Sequence, residues 1–347
     1  MRRPNRGRPR ARPLARIGGA LVLCLVMTAS ATIVVSHARG PHLSVLCSSI
    51  EDLCQEWGRV FRERTGITAT ITRRSAGEAL TLISQSDNQF DLWMGGPAEM
   101  YVLGAERGLF LDHVPAGAEH VPDGRKDPDG AWTGIYQGVL GFCSNSEVLA
   151  RAGLDAPRRW DDLLDPRLRG LVSVPNPNLS GTGYTMVETQ VARLGSDAAM
   201  DWLSRLDVNV LQYTSSGLAP SGVVARGEVA VAVTFTQHCA KQIDQGHDEL
   251  TITYPDDGTG HEIGAIAVLA GTDQPAAAQR FEGFMLSADG QSLGGETGSS
   301  QLPARDDLGH DKRLALPSGT SLVELPLAEA AARQRELIGL FDERVLS

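Results

Sequence analysis

Residues 176–185, NPNLSGTGYT, set hydroxyl side chains and glycines where an apolar segment gives way to a helical one. Three other stretches repeat the design: CSSIED with Ser49, RRSAGEAL with Ser75, and YTSSGLAPSGVV with Ser215, Ser216, Gly217 and Ser221. In each, a strand ends, small hydroxyl or glycine residues follow, and a helix starts. Ser49 with Asp52 and Ser75 with Glu78 fit the capping-box spacing. A single serine of this kind is an ordinary helix N-cap, worth roughly 1 kcal/mol and nothing to function. As a set the four loops suit another chemistry. Helix N-termini expose unpaired N–H groups and the positive end of the helix dipole, so they favour anions. Glycine lets the backbone come close to a ligand. Convergent N-termini would hold a phosphate with few cations, in a chain that has only three lysines.

Better-known phosphate and nucleophile motifs are excluded. No Gly-Lys-Ser/Thr follows the 176–185 loop, so it is not a Walker A motif. GTGY supplies G-x-G without the later glycine of a dinucleotide fingerprint. Ser180 has Asn178 two residues before it and Thr182 two after, so it is not a G-x-S-x-G elbow. A hydrolase using Ser180 or Cys239 would need a base and an oxyanion site that the sequence does not show. The expectation is no enzyme and no cofactor. Further candidates lie on other segments. Gln237 and His238 lie in TQHC, Glu262 in GHEIG, and Tyr136 at the start of YQGVLGFCSN. A lone histidine is more often a satisfied hydrogen-bonder than a ligand group. At a cleft rim it would reach a phosphate or a hydroxyl, and Glu262 would accept from an amine or hydroxyl.

The elements that must position these residues alternate. LSVLC (43–47) is a strand, and residues 50–66 carry Leu53, Trp57, Val60 and Phe61 at helical spacing, with Gly66 as a stop. ITATITR alternates like a strand, AGEALTLISQS is helical, and FDLWMGG precedes a helix that starts near Pro97. Residues 136–145 read as a strand able to cross between two lobes. LVSVPN, DVNVLQYTSS, GEVAVAVTF and LTITYP are further strands, and GHEIGAIAVLAG is the returning one. Strands alternating with helices imply a parallel α/β sheet. In such sheets, loops of this type gather at the carboxyl ends of the strands, where ligands bind.

Charge and cysteines bound the setting. Residues 1–16 hold seven arginines and no acid, and residues 17–36 form an uncharged apolar run ahead of SHA at 36–38. This reads as an export signal cut after Ala38, or as a retained membrane anchor over 1–38. Without the seven arginines the net charge moves from −10 to −17. Nucleic acid is a poor partner for so acidic a body, while an anionic small solute can still bind a locally favourable site. Cys47, Cys54, Cys143 and Cys239 permit two disulfides in an exported chain. The expected pairing is Cys47–Cys54 with Cys143–Cys239, because the first closes only a short strand-to-helix loop. No metal-ligand spacing is present.

Taken together, LSVLCSSIEDLCQEWGRVFRERTGI, FDLWMGGPAEMY, WTGIYQGVLGFCSN, RRWDDLLDPRLRGLVSVPNPNLSGTGYT, GEVAVAVTF and GTGHEIGAIAVL resemble the extracellular solute-binding proteins of ABC importers. The resemblance runs over most of 43–345 and points to the subgroup spanning ferric-iron, 2-aminoethylphosphonate and sugar-phosphate binders. It implies the two-lobed type II periplasmic-binding-protein α/β fold, with two hinge-crossing strands and a central ligand cleft. It further implies lobe 1 at 41–138 plus 259–305, lobe 2 at 139–258, and a C-terminal helix from 306–347 packing on both. It places an anion at Ser180, Gly181 and Thr182. Ferric binders of the group carry adjacent tyrosines where this chain has Thr236, Gln237, His238 and Cys239, and Gln and His give Fe(III) no anionic oxygen. The implied function is a monomeric, non-enzymatic receptor for a small phosphate- or phosphonate-bearing solute, exported to the periplasm or cell surface and docking on an ABC permease. The alternatives are a ferric-iron receptor with a synergistic anion and a ligand-sensing ectodomain.

Overall fold

The computed structural model describes residues 41–296, 301–323 and 326–347. The basic and apolar segment at 1–38, with its expected cleavage or anchoring, lies outside the described residues. Strand β1 (His42–Cys47) lies parallel to β2 (Thr68–Arg73) and β3 (Leu92–Pro97). Helices α1 (Glu51–Thr65), α2 (Ala76–Ile83) and α3 (Ala98–Glu106) follow them in turn. α1 shows why these residues make this element. Leu53, Cys54, Trp57 and Phe61 recur at three- and four-residue spacing and are buried, acids open the helix and arginines close it. Each large apolar side chain buried there contributes about 1.5–3 kcal/mol, and truncation of Trp57 or Phe61 to Ala would cost most.

β4 (Thr133–Asn145) is the long strand that joins the lobes. Its first half, Thr133–Val139, pairs with β9 (His261–Val268). Its second half, Leu140–Ser144, pairs with β7 (Val231–Phe235). β5 (Val172–Pro175) and β6 (Val210–Thr214) complete the path β2-β1-β3-β9-β4-β7-β5-β6, and β8 (Leu250–Thr253) and β10 (Leu302–Pro303) pair with β4 beside it. The chain returns from lobe 2 beside β4, where the Leu140 amide donates to the Gly260 carbonyl at 3.0 Å. This is the expected two-lobed α/β fold with its crossing strands.

The second lobe adds α4 (Ser146–Ala152), α5 (Gly181–Leu194), α6 (Ser196–Asp207), α7 (Ala219–Ala225) and α8 (Thr236–Asp244). The first gains α9 (Pro275–Leu286) and α10 (Ala288–Glu296). One core gathers around Leu43, Trp57, Phe61 and Phe281, the other around Phe142, Trp160, Trp202 and Val233. The C-terminal helix occupies α11 (Leu327–Arg344). Leu327 packs against a lobe 1 cluster, while Leu337, Phe341 and Val345 join the lobe 2 core, so α11 spans the hinge like a strap.

Candidate functional site

One cleft of about 680 Å³ opens between the lobes. All ten residues singled out from the sequence line it: Ser49, Ser75, Tyr136, Ser180, Gly181, Thr182, Ser215, Gln237, His238 and Glu262. They come from five strand-to-helix turns and from the two crossing strands, in both lobes, which is why no single stretch of sequence displays the site.

The lobe 2 wall is built on α5. Ser180 is its N-cap, and its hydroxyl accepts from the Gly183 amide at 3.4 Å. The capping role and the cleft position therefore coexist in one residue. Thr182, next in the helix, is buried against the 215–217 loop. A Cβ on Gly217 would lie 1.9 Å from Thr182 Oγ1, so only glycine allows this approach. The Gly217 carbonyl is fixed from behind by the Thr234 hydroxyl at 2.7 Å and by His238 Nδ1 at 3.2 Å. His238 is buried, and desolvation holds its imidazole down at about 4. The ring is neutral, its Nδ1–H donates to that carbonyl, and Nε2 is left as an acceptor. Ser215 lies at the exposed rim, and α7, which follows its loop, starts only at Ala219.

The lobe 1 wall corrects one sequence expectation. α1 is capped at Ile50 without any side-chain bond, so Ser49 and Asp52 form no capping box. Ser49 is instead wired into the cleft floor: its hydroxyl accepts from Gln301 Nε2 at 3.2 Å and bonds the Tyr136 phenol. The Ser75–Glu78 capping box is present, and Glu78 takes both the Ser75 amide and its hydroxyl proton. What α2 offers the cleft is the backbone of Ala76 and Gly77 rather than a free serine. Both disulfides brace these walls. Cys47–Cys54 closes the Ser48–Ser49 turn, and Cys143–Cys239 ties the first turn of α8, which carries Gln237 and His238, to β4.

The floor lies on the crossing strands. Tyr136 packs over Gly264, where a Cβ would stand 2.0 Å from the ring, and its oxygen accepts from the Gly96 amide at 3.0 Å. Burial pushes the phenol well up, so it stays protonated and hydrogen-bonds Glu262. Glu262 is 8% exposed, and desolvation with the nearby Glu99 charge raises its carboxyl to about 8. Gln237 Oε1 and Gln301 Oε1 are buried without a hydrogen-bond partner among the described residues. Buried polar atoms are seldom left unpaired, and both residues line the cleft. Sequence reasoning missed Gln301, and also Arg73, the one lysine or arginine lining the cleft among the described residues. Arg73 ends β2 two residues before Ser75, which was a usable signal. Gln301 carried none.

The sequence profile of the bacterial extracellular solute-binding proteins matches residues 101–322, most of both lobes. The chain belongs to this family. An uncharacterised protein of Haemophilus influenzae is 34% identical to this solute-binding protein over 272 residues, 76% of this chain and 78% of the relative. A Salmonella paratyphi A protein, described as a candidate 2-aminoethylphosphonate-binding periplasmic protein, is 23% identical over 72% of this chain and 73% of its own. Among solved structures, the periplasmic binding protein AfuA from Actinobacillus pleuropneumoniae, with fructose 6-phosphate bound, superposes with a TM-score of 0.83. It is 26% identical and covers 89% of this chain and 99% of AfuA. Iron-bound HitA from Pseudomonas aeruginosa shares the fold, with a TM-score of 0.77, 21% identity and coverage of 86% and 99%. As a periplasmic-type binding protein, this chain takes a small solute and works with a membrane permease. Among the described residues no helix is long and apolar enough to cross a membrane.

Proposed function

We propose that this solute-binding protein captures a small organic phosphate or phosphonate and delivers it to an ABC permease. The observation that carries this is the pairing of oxyanion donors with uncharged acceptors on one cleft. The α5 N-terminus at Ser180, Gly181 and Thr182, the α2 N-terminus at Ala76 and Gly77, and Arg73 line it. These suit an oxyanion held by charge-assisted N–H bonds. Gln237, Gln301, His238 and Glu262 line the same cleft. They suit an organic part that carries hydroxyl or amino hydrogens. The fructose 6-phosphate on AfuA has both features, and so does an aminophosphonate.

The lobes, at 41–138 with 259–305 and at 139–258, would close over the solute by a hinge at the crossing segments. The receptor acts as an exported monomer, binds no nucleic acid and leaves the solute chemically unchanged. A ferric cargo is favoured less. Cys239 is spent in a disulfide, Tyr136 is held protonated, and no cluster of three or more His, Cys, Asp or Glu able to hold a metal occurs among the described residues. Isothermal titration with 2-aminoethylphosphonate, hexose phosphates, glycerol phosphates and ferric citrate tests this. Micromolar or tighter binding of a phosphorylated compound is expected. Heat only with iron would refute the assignment, and turnover of a phosphomonoester by the pure protein would refute the non-enzymatic role.

A further inference from the structure

Three carboxyl side chains run from the cleft into the protein behind it. Glu262 on β9 faces the cleft. Its Oε2 lies 3.7 Å from where a Cβ on Gly181 would stand, so it sits beside the first residue of α5. Glu99, in the first turn of α3 and 4% exposed, lies behind the cleft wall, and its Oε2 has no partner among the described residues. Glu188 on α5, 6% exposed, accepts from the Tyr184 hydroxyl at 2.8 Å. Glu99 acts on Glu262, and Glu188 acts on Glu99. The file thus touches a crossing strand and both lobes.

The groups facing it are mostly neutral or acidic. Tyr136 of β4 bonds Glu262, and Tyr101 of α3 is turned to the Gly95 carbonyl. Tyr184 of α5 also donates to the Ala330 carbonyl at 2.6 Å. From α11, Arg333 and Glu329 act on Glu188, but Arg333 is bonded to Glu329 at 3.2 Å and Ser196 at 2.7 Å. Among the described residues no salt bridge joins Glu99 or Glu262 to a cation. Burial accordingly raises Glu99 and Glu188 to about 7 and Glu262 to about 8.

We propose that the cleft takes its anionic solute together with protons, because an oxyanion on the α5 N-terminus stands beside Glu262 and closes stably only when the Glu262–Glu99–Glu188 file is neutral. The protons come from solvent and reside on the file, and the solute binds as the dianion. The inference rests on the phosphate assignment above. It makes the carboxyl file a selector: an anion whose organic part lacks a cation binds with proton uptake, whereas a solute that sets an ammonium on Glu262 binds without it.

Below about pH 6 the file is already protonated in the free protein and adds no pH dependence to affinity. As pH rises past 7 the free protein loses protons that the complex must regain, so affinity falls by up to about tenfold per pH unit for each proton taken up. The probe is fructose 6-phosphate, whose second ionisation lies near 6, so it is mainly the dianion above about pH 7. Titration calorimetry at pH 8.5 in two buffers of different ionisation enthalpy should show uptake of about two to three protons per solute bound. Glu99→Gln, which leaves the cleft lining intact, should bind about thirtyfold tighter than wild type at pH 8.5 and equally at pH 6. A purely packing role for Glu99 would weaken binding at both pH values. Glu188→Gln is the second variant, with the same expected direction. Binding without proton uptake, or a Glu99→Gln profile parallel to wild type, overturns this inference and leaves the phosphate assignment standing. No binding of this or any other phosphorylated solute at any pH overturns both.

Discussion

Replacing Gly217 with alanine tests the cradle with one added carbon. The new Cβ would stand 1.9 Å from Thr182 Oγ1 and 2.6 Å from Thr182 Cβ, where ordinary contact begins at 3.4 Å. Neither side yields cheaply. Thr182 is in the first turn of α5, and the Gly217 carbonyl is held by Thr234 and His238. The 215–217 loop must therefore swing away from α5, and the oxyanion loses the donors on one side. A hydrogen bond to a charged group contributes about 1.5–3 kcal/mol. Losing one or two weakens binding by roughly 10- to 20,000-fold, given that 1.4 kcal/mol is tenfold. The assay is titration calorimetry with the tightest organic phosphate found, alongside a melting curve. The fold should survive, because the clash is confined to a cleft loop. Affinity within twofold of wild type in a folded Gly217→Ala protein would show that this contact does not shape the site.

Other perturbations separate structural from binding roles. Cys143→Ser with Cys239→Ser opens a crosslink spanning 96 residues and should cost about 4–5 kcal/mol on the chain-entropy estimate, against about 2 for the seven-residue Cys47–Cys54 link; denaturant midpoints decide. Tyr136→Phe strips the Gly96 amide of its acceptor and Glu262 of its donor, and should lower stability by about 1–3 kcal/mol in urea titrations while weakening binding. The carboxyls of Glu99, Glu188 and Glu262 are held above their ordinary range, so the stability they allow is complete below about pH 4 and lost as pH rises through 7 to 8. The ligand-free protein should accordingly melt a few degrees lower at pH 9 than at pH 6, and Glu99→Gln should narrow that gap.

The α/β alternation was legible because strands and helices impose periods of two and about 3.6 on apolar residues, as at Leu53, Trp57 and Phe61. The cleft loops were legible because hydroxyl and glycine residues follow strand ends there, and the structure gathers Ser49, Ser75, Ser180 and Ser215 on one cleft. What the loops do individually was less so. Ser75 spends its hydroxyl on Glu78, and Ser49 caps nothing, since capping depends on where the backbone turns and not on spacing alone. α6 and α8 escaped notice although α6 buries Ala199, Met200, Leu203 and Leu206 at helical spacing, as plain a pattern as that of α1. Glu99 and Glu188 were invisible, because a buried charge is defined by distant segments: α3, α5 and β9 meet only in the folded chain. Gln301 reaches Ser49 across 252 residues, a contact no local pattern encodes.

In the proposed complex, backbone amides of the α5 N-terminus grip an oxyanion between the lobes. A crystal structure of the protein with fructose 6-phosphate or 2-aminoethylphosphonate bound tests this. Oxyanion oxygens should lie about 2.7–3.1 Å from the Gly181 and Thr182 amide nitrogens, with the organic part turned toward Gln237, His238 and Glu262. A solute seated with its phosphorus away from α5, or a metal ion in the cleft bound through Tyr136 and Glu262, would contradict it.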